Sequence, residues 1–105
     1  MVLIMITSWY PPHKATEVAE KYIEVLQKHP YESFEKMLVD SASRPDKDGI
    51  EVISIADVEK GKYEEIFNLI VKRMVMLMSI EGFRYKFDTL YKLEEAYPLV
   101  GLAPP

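Results

Sequence analysis

The sequence predicts an α+β fold: a four-stranded antiparallel sheet carrying two helices on one face, with its elements in the order βαββαβ. Three observations lead there. An apolar run near the start gives way abruptly to apolar residues at helical spacing. Two extended stretches in mid-chain flank a cluster of turn formers. A second, longer helical stretch then runs into a segment of apolar–polar alternation.

A chain of 105 residues is one domain by length, residues 1–105. Its core must be thin, because small domains bury a smaller share of their surface. Apolar residues make up 49% and charged residues 29%, the balance of a globular chain rather than a disordered one. The net charge is −4 and no long basic run exists, which argues against nucleic acid or an anionic membrane surface as a partner. With no cysteine, disulfides, thiolate metal sites and a cysteine nucleophile are excluded. The first apolar run is short and lacks a basic leader, so no signal peptide is expected. The apolar stretch 66–80 is broken by Asn68, Lys72 and Arg73, too charged for a membrane span. A cytoplasmic location is expected.

In residues 2–9 both parities are apolar: Val2, Ile4 and Ile6 on one face, Leu3, Met5 and Trp9 on the other. A strand apolar on both faces belongs in the middle of a sheet and needs cover on both sides. Pro11 and Pro12 end it, since neither donates to a ladder. In residues 15–28, Ala15, Val18, Ala19, Tyr22, Val25 and Leu26 share one helical face, and Pro30 marks the end. Residues 34–42 and 50–58 are predicted as two strands around the loop SRPDKDG. Their mixed faces place them half-buried or towards an edge.

Residues 62–81 are predicted as the second helix. Its polar stripe is narrow: Glu64, Glu65, Asn68, Lys72 and Ser79, with Arg73 beside it. The apolar remainder, Met74, Met76 and Met78 included, exceeds what one small sheet covers. That surplus is expected to meet either a neighbouring subunit or the C-terminal arm of the same chain. Gly82 reads as the C-cap glycine. In residues 83–93, Phe83, Tyr85, Phe87, Thr89 and Tyr91 share one face, and Arg84, Lys86, Asp88 and Lys92 the other. That is a strand with one wet face. Residues 94–105 are punctuated by Pro98, Gly101, Pro104 and Pro105 and are expected as an arm or a short edge strand.

Two crossover helices around a central hairpin make a split βαβ, ferredoxin-like unit. Right-handed crossovers put both helices on one side of the sheet. The other side is then bare, although the first strand is apolar there too. The chain resembles the dimeric α+β barrel superfamily in four places. These are the first strand VLIMITSW, the helix ATEVAEKYIEVLQKH, the SRPDKDG hairpin and the aromatic last strand FRYKFDTLY. The resemblance is one of pattern and covers nearly the whole chain. It implies a homodimer, or a larger assembly of itself, whose sheets stack face to face. It also implies a small organic ligand held between sheet and helices. The superfamily includes small monooxygenases, haem-degrading enzymes and muconolactone isomerase-like proteins, and no catalytic motif of any one branch falls on these residues.

Candidate chemistry concentrates in SWYPPHK, residues 8–14. His13 is either a general base or ligand-orienting group, or an exposed histidine in the first turn of a helix. Trp9 and Tyr10 either wall a ligand pocket or cap the core. Tyr85 either turns its hydroxyl to a ligand or packs in the core. Arg84 either binds an anion or is solvated or paired. Asp40 stands out because it breaks an apolar strand. No metal site is expected: His13 and His29 are the only histidines. They lie at opposite ends of one helix, about 24 Å apart. No Gly-rich phosphate loop and no Gly-x-Ser-x-Gly elbow occur, and no cofactor is expected. The leading expectation is a homodimeric barrel that binds a small organic ligand. Two readings stay open beside it: a cofactor-independent oxygenase or isomerase using Trp9, Tyr85 and His13, and a purely regulatory or structural module.

Overall fold

The computed structural model describes residues 2–105. Strand β1 (Val2–Tyr10) is followed by one 3-10 turn (Pro12–Lys14) and helix α1 (Ala15–Lys28). Strands β2 (Glu35–Asp46) and β3 (Gly49–Val58) form a hairpin. Helix α2 (Tyr63–Leu77), strand β4 (Arg84–Tyr91) and a short helix α3 (Leu93–Leu99) complete the chain. The architecture is α+β. The sheet runs β2-β3-β1-β4, with every neighbouring pair antiparallel. β1 is central, as its two apolar faces require. The strands flanking α1 are not neighbours, since β3 lies between them; β1 likewise separates the strands flanking α2.

Opposed residues of an antiparallel pair share a face. The register therefore assigns each face by parity. Ile4 lies beside Ala56 and Thr89, and Ile6 beside Ser54 and Phe87, on the helix-covered side. There Ile4 and Ile6 join Val58 of β3, Val25 of α1, and Ile66, Ile70, Met74 and Leu77 of α2 in the core. On the other side, Leu3, Met5, Thr7 and Trp9 lie beside Asp57, Ile55, Ile53 and Glu51 of β3. Among the described residues, the buried cluster that α1 and α2 join lies on the first side, while Lys92, just before α3, reaches Asp57 on the second.

Several bounds differ from the expectation. β2 extends to Asp46, so the SRPDKDG loop shrinks to a two-residue turn, Lys47-Asp48. Pro45 is tolerated within β2 because that strand is an edge. Gly49 closes the turn with φ +117°, and a Cβ there would sit 2.4 Å from the Tyr10 carbonyl oxygen. A Cβ on Gly82 (φ +86°) would sit 2.6 Å from the Pro11 ring. These two glycines hold the chain tightly around the corner after β1. Helix α2 ends at Leu77, and residues 78–82 are turns. The tail begins as α3, not as a strand. Met74 is buried and Met76 half-buried on α2, and Met78, just past its end, is exposed.

Arg73, read from the sequence as flanking a solvated stripe, is instead buried at 3% exposure. Its Nη1 and Nη2 donate to the two carboxylate oxygens of Glu35, which begins β2. Nε donates to the His29 carbonyl and Nη2 to the Pro30 carbonyl, both at 2.9 Å. Those carbonyls end α1, where helical partners run out and positive charge is favoured. One guanidinium thus joins α2, the end of α1 and the start of β2. Breaking a buried pair by removing one partner costs about 3–5 kcal/mol, since the other charge is stranded. Arg73→Ala should therefore lower stability by about that amount, read from the urea midpoint. Glu35→Leu combined with Arg73→Met should recover the share of the loss that comes from the stranded charge, while the His29 and Pro30 carbonyls still lack their donors.

Candidate functional site

A cavity of about 200 Å³ lies between the helix-covered side of the sheet and helices α1 and α2. Its origin is a step in side-chain size. Along β1 the inward residue changes from Ile6 to Ser8, and along β3 the inward residues are Val52 and Ser54 rather than larger groups. The facing stretch of α1 presents Ala15 and Ala19. Small residues opposed across a layer leave space that a close-packed interior would otherwise fill. Tyr10, Ile70, Met74 and Phe83 complete apolar walls around it.

The polar end of the cavity is built on a distorted stretch of β2. The β2–β3 register shifts twice, between Met37 and Val39 and between Val39 and Ala42. Such bulges re-aim side chains at sheet edges. Ser41 sits in the second, at φ 54°, an uncommon conformation for a residue with a side chain. Its backbone N–H donates to Ser54 Oγ at 3.0 Å. Tyr22 Oη and Tyr31 Oη are 2.6 Å apart, and Tyr31 Oη donates to Asp40 Oδ1 at 2.8 Å. Ser41 Oγ lies 3.3 Å from the same Asp40 oxygen and 3.5 Å from Tyr22 Oη. Arg73 lies over the Tyr31 ring at 4.9 Å from its centroid, so the buried clamp also orients this phenol. Burial, then the hydrogen bond with Tyr22 and the nearby Asp40, push the Tyr31 phenol well above the ordinary tyrosine range. It stays neutral at physiological pH.

The five residues singled out from the sequence do not converge. Tyr10 lines the cavity. Trp9, one residue earlier, points to the opposite face, where Arg84 lies over its ring at 5.5 Å. His13 is exposed on the 3-10 turn and is not among the residues lining the cavity. Tyr85 is on the helix-covered side, packed against Phe87 at 5.2 Å between ring centroids. Tyr31, Ser41, Ser54, Glu35 and Arg73 escaped sequence reasoning. The inward serines were the available signal, since Ser8 and Ser54 interrupt apolar parities. Asp40 was another, and it anchors the tyrosine pair.

Among the described residues, no cluster of histidine, aspartate and glutamate is placed to hold a metal ion. No described helix is long and apolar enough to cross a membrane. No protein-family model matches the chain, and no curated protein does. Solved structures do. A conserved protein from Methanosarcina mazei Go1 matches with a TM-score of 0.58 at 9% identity, over 88% of this chain and 93% of that one. A de novo designed protein, Foldit4, matches with a TM-score of 0.56 at 14% identity, over 87% of this chain and 96% of that one. At such identities the likeness is one of fold, and it places the chain among small α+β proteins.

The Tyr31 environment makes a pH prediction. Above about pH 10 the unfolded chain loses the Tyr31 proton while the folded chain keeps it, so stability falls as pH rises. Urea denaturation between pH 9 and 11 should show a shallower decline for Tyr31→Phe. The difference approaches one proton's slope, about 1.4 kcal/mol per pH unit. Parallel declines would contradict the shift.

Proposed function

We propose that this chain is the subunit of a homodimeric, ferredoxin-like α+β barrel that binds a small organic ligand between its sheet and its helices. The cavity carries the ligand half of this reading. It has apolar walls and a few converging hydroxyls, the usual composition of a small-molecule site. An engineered cavity of about 150 Å³ admits benzene. A space of about 200 Å³ suits a single substituted ring or a short branched chain.

The strand order and its antiparallel pairing support the ferredoxin-like reading. The uncovered side of the sheet supports the dimer. Its centre holds Leu3, Met5, Ile53 and Ile55, and its margins hold charges of both signs. Arg44 pairs with Glu51, Lys92 with Asp57, and Arg84 stacks on Trp9. A patch that carries both signs is suited to meeting its own copy across a two-fold axis. Asp57 Oδ1 is buried there without a hydrogen-bond partner, a deficit of the kind a second molecule relieves. The exposed Leu99, Val100 and Leu102 of the tail add apolar surface for a second copy.

Light scattering on the eluting protein should give about twice 12.2 kDa. Ile53→Asp should return the mass to that of one chain. A monomeric wild type would overturn the dimer. In a thermal-shift screen of single-ring compounds, a ligand at 100 times its Kd should add about 2.7 kcal/mol of stability. Ser54→Phe, which fills the cavity, should abolish the shifts; shifts that persist in that variant would place binding elsewhere.

A further inference from the structure

We infer that the cavity selects a neutral ligand bearing a hydroxyl that donates a hydrogen bond to Tyr22. The inference rests on the ligand-site reading above and names the class of ligand. It follows from counting protons. The Asp40 carboxylate carries none, so Tyr31 donates to it. A phenol has one O–H, so Tyr31 has none left for Tyr22, and Tyr22 must be the donor in the 2.6 Å contact between them. Ser41 also has one proton. Asp40 is the nearer acceptor, at 3.3 Å against 3.5 Å, and the stronger one because it is charged.

The donors therefore run outward in one direction, from Tyr22 through Tyr31 to Asp40. Tyr22, which lines the cavity, has spent its proton and keeps free lone pairs. At this end the cavity accepts and does not donate. A ligand hydroxyl extends the chain by one member and gains from its polarisation. An ether or carbonyl of the same shape finds no donor there. Ser41 has given its proton to Asp40, and the hydroxyls of Ser8, Ser43 and Ser54 rotate to serve either role, so they do not discriminate.

An anionic ligand is disfavoured for a separate reason. Arg73 is the sole cationic side chain among the residues lining the cavity. Its guanidinium is committed to Glu35 and to the His29 and Pro30 carbonyls. A carboxylate entering the cavity would lose its hydration without gaining a counter-charge.

The test uses three probes of one skeleton on the full chain at pH 7: 4-ethylphenol, its methyl ether 4-ethylanisole, and 4-ethylbenzoate. Affinities are read by NMR titration on wild type and on Tyr31→Phe, a variant that loses one oxygen and keeps the ring. The expected order is 4-ethylphenol about tenfold tighter than 4-ethylanisole, with 4-ethylbenzoate weakest. In Tyr31→Phe, Tyr22 loses its acceptor at 2.6 Å and is left with the more distant Ser41 Oγ at 3.5 Å, so it can donate inward to a ligand and the preference should fall to about twofold or less. Ether or benzoate binding as tightly as the phenol would overturn the hydroxyl selection and leave the ligand site standing. A preference unchanged in Tyr31→Phe would overturn the role of the tyrosine relay. Binding of none of the three at millimolar concentration would overturn the ligand-site reading itself.

Discussion

Arg73 presents five N–H donors in a rigid planar fork, and four of them meet four protein oxygens. Those oxygens come from the end of α1, the residue that follows it and the first residue of β2. Arg73 itself stands in α2. A Leu or Met at this position would pack, but it would leave two chain-end carbonyls and a carboxylate buried without partners. The clamp thus fixes where α1 stops, where β2 starts and how far α2 stands from both. Glu35 carries a second duty, since its Oε1 also receives the Glu32 N–H at 3.3 Å. The link from α1 to β2 is therefore organised around charge rather than around apolar packing.

The cavity is the consequence of that rigidity. A domain this thin has little apolar burial to spare, and a void lined by Ala15, Ala19, Ser8 and Ser54 gives up contacts on every side. Space of this kind survives only where neighbouring elements cannot collapse into it. The Arg73 clamp bounds one end, and the tightly closed corner at Gly49 and Pro11 bounds β1 and β3 at another. The strained Ser41 belongs to the same pattern. Its left-handed backbone aims its N–H at Ser54, and the bulge that contains it leaves Asp40 within reach of Tyr31. Backbone strain held by its surroundings beside a cavity is a common mark of a working site.

The fold was legible wherever periodicity and proline acted together. Both parities of β1 are apolar, which placed it in the middle of the sheet. Pro12 and Pro30 bracketed α1, whose bounds, Ala15–Lys28, match the helical spacing. The hairpin was read too short, because Arg44, Pro45 and Asp46 are turn formers by composition yet pair with Glu51, Ile50 and Gly49 on an edge strand. The site was mostly illegible. Arg73 looks like one more charge near a polar stripe until Glu35, 38 residues away, is brought against it. Tyr31 follows a proline in a connecting segment, where no pattern distinguishes it. Long-range pairing of single residues has no local signature.

The stretch SWYPPHK shows how a strand divides labour. Consecutive side chains of a strand point to opposite faces, so Trp9 and Tyr10 cannot wall the same space. Tyr10 faces the cavity; Trp9 faces the uncovered side, under Arg84. His13 lies past the corner and faces neither. The same alternation applies to β3, where Ser54 lines the cavity while Ile53 and Ile55 face away. Ligand contact and self-association would then use the two sides of one backbone layer. Each residue that serves one is adjacent in sequence to a residue that serves the other. An insertion or deletion within β1 or β3 would exchange the two sets, so the register of the central pair constrains both properties together.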